Sequence, residues 1–450
     1  MRRTVCPESR RIVRTLVTHD DARLAIFDEV KVKPNTGKPA DAIVIDPGKT
    51  YQSILGFGAA LTDAACFLIN GLARENRNHF LTEVFDPSGL GFNCCRICIG
   101  SSDYATKAYS YHDAGPDPNL HNFSIEHDRT YIAPIIKQAR ELNPDLFLLA
   151  SPWSPPGWMK AGCSMLGGSM RRKYLASYAE YFDKFLNAYA ELGIEVGAIT
   201  VQNEVDTDQE GLMPACIWTQ GTETLFVTEH LGPKMAQRQT PTKIWILDHN
   251  YVLWGRVLSQ LSDPLLKKLV DGVAWHGYEG HPSAMSVIQQ AHPETNMYWT
   301  EGGPEDLTDP SLTTNWAFWG ARFTAILKNW AKCIIAWNLA LDEHGRPNIG
   351  PFACAGLVTI DSETKEIRPS GQYWALAHFS TAVQREAVRV QSQGGPRPIS
   401  HVAFRNPDGS YVLILSNAGK ERTVRVILNR EMQAEIRVPR NSMITAVWRE

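Results

Sequence analysis

Between Tyr51 and about Ser370, eight short apolar runs alternate with segments in which apolar residues recur every three or four positions. The runs cover 54–58, 94–99, 147–151, 198–204, 244–248, 273–276, 297–301 and 334–338. Strands alternating with helices predict a parallel sheet, because parallel neighbours need a crossover between them. Eight such units in about 320 residues predict an α/β fold, a (β/α)8 TIM barrel whose reactive face lies at the strand C-termini. A doubly wound open sheet is the other architecture with this grammar. Two of the helices are explicit. Tyr174, Leu175, Tyr178, Phe182, Phe185, Leu186 and Tyr189 form one apolar stripe that stops at Gly193, and Ile132, Ile135, Ile136, Ala139 and Leu142 form another that stops at Asn143-Pro144.

Two of the runs end in a carboxylic acid. Ala198-Ile199-Thr200-Val201 runs into Gln202-Asn203-Glu204, and Met297-Tyr298-Trp299-Thr300 runs into Glu301-Gly302-Gly303. A buried strand that turns polar at its C-terminal end places that polarity at the mouth of a barrel.

After about Ala375 the pattern becomes all-β. The runs 401–404 and 411–415 flank Asn406-Pro407-Asp408-Gly409, a hairpin signal, and strands at 423–428, 434–438 and 443–448 follow. The segment before the barrel, with strands at 23–27 and 42–46, is too short to fold alone. The expected organisation is therefore 1–50 as N-terminal strands joining a β-sandwich, 51–375 as the barrel, and 376–450 as the rest of a side-attached sandwich.

Composition narrows the function. A net charge of −3 and pI near 6.5 offer no basic field for a phosphate backbone, so no nucleic acid partner is expected. No apolar stretch approaches the roughly 20 residues of a membrane span. Thirteen Trp and fourteen Tyr supply flat faces that suit sugar rings, although most such residues serve cores. Nine scattered cysteines, odd in number, read as reduced thiols. The segment 1–17 carries Arg2, Arg3, Arg10, Arg11 and Arg14 but no apolar core of a secretory signal, which gives a cytoplasmic expectation, with an Arg-rich transit peptide as the alternative.

Two carboxylates facing each other can cleave a glycosidic bond in two steps. One attacks the anomeric carbon; the other protonates the departing oxygen and later deprotonates water. The acid/base then needs a pKa raised by its charged neighbour. Glu204 and Glu301 fit those roles, and structural ion pairs are the plain alternative.

The stretches Gly56-Phe57-Gly58-Ala59-Ala60-Leu61-Thr62-Asp63-Ala64-Ala65, Ser151-Pro152-Trp153-Ser154-Pro155-Pro156-Gly157-Trp158-Met159-Lys160, Gln202-Asn203-Glu204, Trp299-Thr300-Glu301 and Trp337-Asn338-Leu339-Ala340-Leu341 occur in this order. Together they resemble glycoside hydrolase family 30, nearest its glucosylceramidase branch and bacterial relatives. The resemblance covers nearly the whole chain. It implies a retaining β-glycosidase acting on a carbohydrate or glycoside, without cofactor or metal, with Glu204 as acid/base and Glu301 as nucleophile. It further implies that Asn203 bonds the sugar 2-hydroxyl, that Asp103 and Trp153 hold other hydroxyls, that Trp337 floors the ring, and that Tyr278, with Arg96 and His276, orients the carboxylates.

The family usually has Pro after the acid/base, where this chain has Val205 followed by Asp206-Thr207-Asp208-Gln209-Glu210-Gly211, and Gly302-Gly303 also departs from the glucosylceramidase branch. Both changes concern the rim, so aglycone choice is affected more than the chemistry. Asp206-x-Asp208-x-Glu210 begins like a calcium loop, but its twelfth position is Ile217. Gly56-x-Gly58 lacks the third small residue of a dinucleotide loop. His249, His276, His281 and His292 show no metal-ligand spacing, and no G-x-S-x-G elbow occurs. A carbohydrate-binding protein on a degenerate scaffold and a barrel lyase or isomerase are the competing functions.

Overall fold

The computed structural model describes residues 12–35, 41–429 and 431–449. Eight strands close into a barrel in chain order: Gly56–Leu61, Cys94–Cys98, Phe147–Ser151, Ala198–Thr200, Lys243–Asn250, Gly272–His276, Asn296–Glu301 and Ala331–Ala336. The open-sheet alternative is thereby excluded. Cys94, Cys95, Ile97, Leu148, Leu149 and Ala150 are all buried, as strands covered on both faces require. The helix Leu175–Glu191 buries Tyr178, Phe182, Phe185, Leu186 and Tyr189, the stripe that the sequence spaces at three and four.

Several strand ends differ from their expected positions. The fourth strand stops at Thr200 and the eighth at Ala336, leaving Asn203-Glu204 and Trp337-Asn338 on the turns that follow. Glu204 and Asn338 adopt φ of 56° and 53°, left-handed values that end a strand and cost a non-glycine residue on the order of 1 kcal/mol. The first strand begins at Gly56 rather than at residue 54. Two bulges re-aim the chemistry. Ala274 pairs with Leu247 and Trp275 with His249, so Asp248 is skipped; Trp275 pairs with Trp299 and His276 with Glu301, so Thr300 is skipped.

The chain divides into two compact units, one of residues 58–307 and 334–368, the other of residues up to 57, 308–333 and 369 onward. The second unit holds a ten-stranded sheet built from both ends of the chain. In spatial order its strands are Ala22–Lys31, Ile12–His19, Ser442–Trp448, Tyr411–Asn417, Ile399–Arg405, Val388–Gly394, Ile43–Ser53, Arg422–Ile427, Met432–Val438 and Lys33–Pro34. Its core gathers Val13, Val17, Leu413, Leu415, Val426, Ile436 and Trp448. Part of the arginine-rich segment considered as a leader is thus structural: Ile12–His19 pairs antiparallel with Ser442–Trp448, while residues 1–11 lie outside the described residues. Val388–Gly394, with Gln391, Ser392 and Gln393, is too polar to read as a strand from sequence. A short three-stranded sheet of Ala340–Leu341, Val358–Ile360 and Ile367–Pro369 follows the barrel's last strand.

Candidate active site

The strand C-termini open onto a cavity of about 570 Å³. Asp103, Trp153, Asn203, Glu204, Tyr278, Glu301 and Trp337 all line it. Arg96 and His276 lie beneath, fully buried. The nine residues singled out in the sequence are therefore one cluster.

Arg96 is the centre of that cluster. Its Nη1 donates to Glu301 Oε2, its Nη2 to Asn203 Oδ1 at 2.7 Å and Asp248 Oδ2 at 2.7 Å, and its Nε to Ser151 Oγ at 3.1 Å. The guanidinium lies 4.6 Å from the centroid of the Trp153 ring, which stacks on Trp337 at 5.2 Å. Because a guanidinium accepts nothing, Asn203 must turn its oxygen toward Arg96, which leaves its amide N–H groups to donate elsewhere.

Glu301 also accepts from the Tyr278 hydroxyl at 3.0 Å. Glu204 has different company. Gln209 Nε2 donates to its Oε2 at 2.6 Å, and His276 Nδ1 lies 3.2 Å from its Oε1. The same imidazole reaches Asp248 Oδ1 at 3.1 Å through Nε2, which is 3.7 Å from Glu301 Oε2. His249 adds Nδ1 at 3.6 Å from Glu204 Oε1, with Nε2 at 2.9 Å from Asp206 Oδ1.

The electrostatics follow from these contacts. Burial disfavours a charged His276, but the Glu301 charge and the bonds to Asp248 and Glu204 prevail and push it up to about 9. Burial likewise works against an ionised Glu204, yet the His276 hydrogen bond and the charges of His249, His276 and Arg96 hold its carboxyl below the ordinary value. The upward shift expected at Glu204 is thus reversed, because His276, His249 and Arg96 outweigh burial. Asp103 moves the other way: burial, then the Glu301 and Glu204 charges, raise it well above the carboxylate range. Its buried Oδ1 has no hydrogen-bond partner.

Besides His249, three participants were not assigned to the site from the sequence. Asp248 accepts from Arg96 and His276 and also from Thr200 at 2.7 Å, Ser151 at 2.8 Å and Thr300 at 2.7 Å. It ends an apolar run just as Glu204 and Glu301 do, so the same signal marks it. Gln202 donates to the Trp153 and Asn203 carbonyls and joins two loops. Gln209 belongs to the unusual 206–211 loop, and nothing in its sequence marks a return onto Glu204. Val205 is buried, and its carbonyl accepts from the Trp218 N–H at 2.7 Å, so the residue in place of Pro is packing rather than pocket wall. Among the described residues Glu204, His249 and His276 form a group able to hold a metal ion, their ligand atoms lying within 4.8 Å of one another.

Comparison with known proteins places this geometry. The glycosyl hydrolase family 30 TIM-barrel domain model matches residues 54–383, and the family's β-sandwich domain model matches residues 386–446. An endo-1,6-β-D-glucanase of Neurospora crassa is 33% identical over 425 residues, covering 89% of this chain and 86% of that protein. The lysosomal acid glucosylceramidase of Mus musculus is 28% identical over 430 residues, covering 90% and 83%. A solved endo-β1,6-glucanase superposes with a TM-score of 0.87 at 29% identity, covering 97% of this chain and all of that one. The chain belongs to glycoside hydrolase family 30 and is a glycoside hydrolase acting on β-glycosidic bonds.

Proposed function

We propose that the chain hydrolyses its substrate with retention at the anomeric carbon, Glu301 acting as nucleophile and Glu204 as acid/base. The observation that carries this reading is the unequal company of the two carboxylates. Glu301 is aimed by two donors that keep their protons, Arg96 and the Tyr278 hydroxyl, which suits an attacking group held at a fixed angle. Glu204 faces an imidazole and an amide at the loop-bearing side of the cavity, which suits a group that gives and takes a proton. Family membership supports the double displacement, a mechanism that in general needs its two carboxylates about 5–5.5 Å apart.

The remaining residues follow from hydrogen-bond accounting. Asn203, with its oxygen engaged by Arg96, offers an N–H to the sugar 2-hydroxyl, a bond that tightens as charge develops on the ring. The unpartnered Asp103 Oδ1 takes a hydroxyl donor from the sugar. Trp153 and Trp337 supply the aromatic surface beneath the ring. A glucosyl unit is the proposed occupant, supported by relatives named as a glucanase and a glucosylceramidase. A reducing compartment such as the cytoplasm is the proposed setting, supported by eight free cysteines among the described residues and testable by cell fractionation.

The test is release of aryl alcohol from aryl β-glucoside, β-xyloside, β-galactoside and β-fucoside, with the first anomer formed followed by proton NMR. Glu301→Gln is expected to lower turnover by at least about 10³-fold while sugar binding persists. Unchanged turnover, or a first-formed α-anomer, overturns the assignment.

A further inference from the structure

The ends of the fifth and sixth barrel strands are neighbours in register: Trp275 pairs with His249 and His276 with Asn250. Histidines 27 residues apart in sequence thereby reach one carboxylate. Both turn the same nitrogen, Nδ1, toward Glu204 Oε1, at 3.6 Å from His249 and 3.2 Å from His276. A tetrahedral ion with bonds of about 2.0–2.1 Å spaces its ligand atoms about 3.3 Å apart, so two edges of such a site already exist. The far nitrogen of each ring is engaged by its own carboxylate, Asp206 for His249 at 2.9 Å and Asp248 for His276 at 3.1 Å. That outer carboxylate is what fixes the tautomer and orientation of histidine metal ligands. A second, independent feature points at a ligand: His249 is 8% exposed, yet its inward Nδ1 is buried without a hydrogen-bond partner.

We propose that Glu204, His249 and His276 form a site for a divalent transition-metal ion such as Zn²⁺, which on binding takes Glu204 out of service and so inhibits the enzyme. Imidazole and carboxylate donors suit Zn²⁺, Co²⁺ or Ni²⁺ and select against Ca²⁺ and Mg²⁺, which want all-oxygen shells. The ion takes the lone pairs of His249 Nδ1 and His276 Nδ1, any proton on either nitrogen passing to solvent, together with a Glu204 oxygen, and its fourth position is left to water. Asp206, the outer carboxylate of His249, lies in the loop that departs from the family pattern. The inhibitory half rests on Glu204 being the acid/base; the binding half does not.

The experiment titrates the whole chain with ZnCl₂ by calorimetry, and with Co²⁺ by its visible d–d absorption, beside an aryl glycoside assay. About one ion per chain is expected, with binding weakened at least tenfold in His249→Ala. Asp206→Asn, an exposed position that leaves folding intact, should weaken it about tenfold through loss of the outer carboxylate. Turnover should fall in step with occupancy and return on chelation. Absence of stoichiometric binding, or equal affinity in both variants, overturns the site. Binding that spares turnover retains the site and instead removes Glu204 from the acid/base role.

Discussion

Replacing Asp248 with Asn tests the wiring beneath the two glutamates. The carboxylate is fully buried and accepts from five groups. Arg96, Ser151 and Thr200 donate to Oδ2, and His276 and Thr300 to Oδ1. An amide can satisfy one of these sides only. Turned oxygen-first toward Arg96, it keeps three of the bonds and sets its NH₂ against His276 and Thr300; the Thr hydroxyl can rotate, but the imidazolium faces a donor. The Oδ2 charge opposite Arg96 is lost in either orientation. Breaking a buried ion pair by removing one partner costs about 3–5 kcal/mol, and the variant should lose stability of that size in urea unfolding. Activity should fall further than stability accounts for, because Arg96 and His276 lose the anchor that aims Glu301 and Glu204; a displacement near 1 Å is worth about 10²-fold in rate. The assay is kcat/KM on an aryl glycoside at a temperature where the variant is folded by circular dichroism. A folded variant within threefold of the native rate would refute the claim that Asp248 holds the site in shape.

Other expectations follow from the same structure. Asp128 is buried and accepts from Tyr111 and Tyr189 at 2.6 Å and Tyr109 at 3.0 Å. Burial outweighs those hydroxyls and pushes its carboxyl up to about 6, above the unfolded value of about 3.9. The native state therefore binds this proton more tightly, and the group's contribution, on the order of 3 kcal/mol, is present below pH 4 and lost as pH rises through 6. Unfolding of Asp128→Asn followed from pH 4 to 7 should lack that slope; a slope equal to the native one would count against it. Gln209→Ala removes a 2.6 Å bond to Glu204, worth about 1 kcal/mol, so turnover should drop about fivefold for glycosides with poor leaving groups. It should stay near native for strongly activated ones that need little protonation, and an equal drop for both would point to misfolding instead.

How much of this was legible in the sequence depends on what each feature needs in order to be seen. The barrel was, since its eight apolar runs and the stripe from Leu175 to Tyr189 are local periodicities. Glu204 and Glu301 were, because each interrupts such a run at its end. Asp248 interrupts one in the same way, and only the bulge that skips it in the register shows where it points. His249 and His276 meet through strand adjacency, which spacing within a motif cannot express. The shift in Glu204's proton affinity required counting both imidazoles, and only one of them had been assigned to the site. In the sheet of the second unit, Ile12–His19 was obscured by its arginine-rich context and Val388–Gly394 by its polarity, although backbone pairing is indifferent to both.

The Arg96 guanidinium, seated on the second strand, bonds side chains from the ends of the third, fourth, fifth and seventh. Apart from Asn203, all of these partners are supplied by the strands themselves. The aim of Glu301 is in this sense insulated from the surface. A change in the rim segment 206–211 reaches Glu204 through Gln209 but leaves every partner of Arg96 in place. The parts of this chain with freedom to change without disturbing the nucleophile are those that Arg96 does not touch.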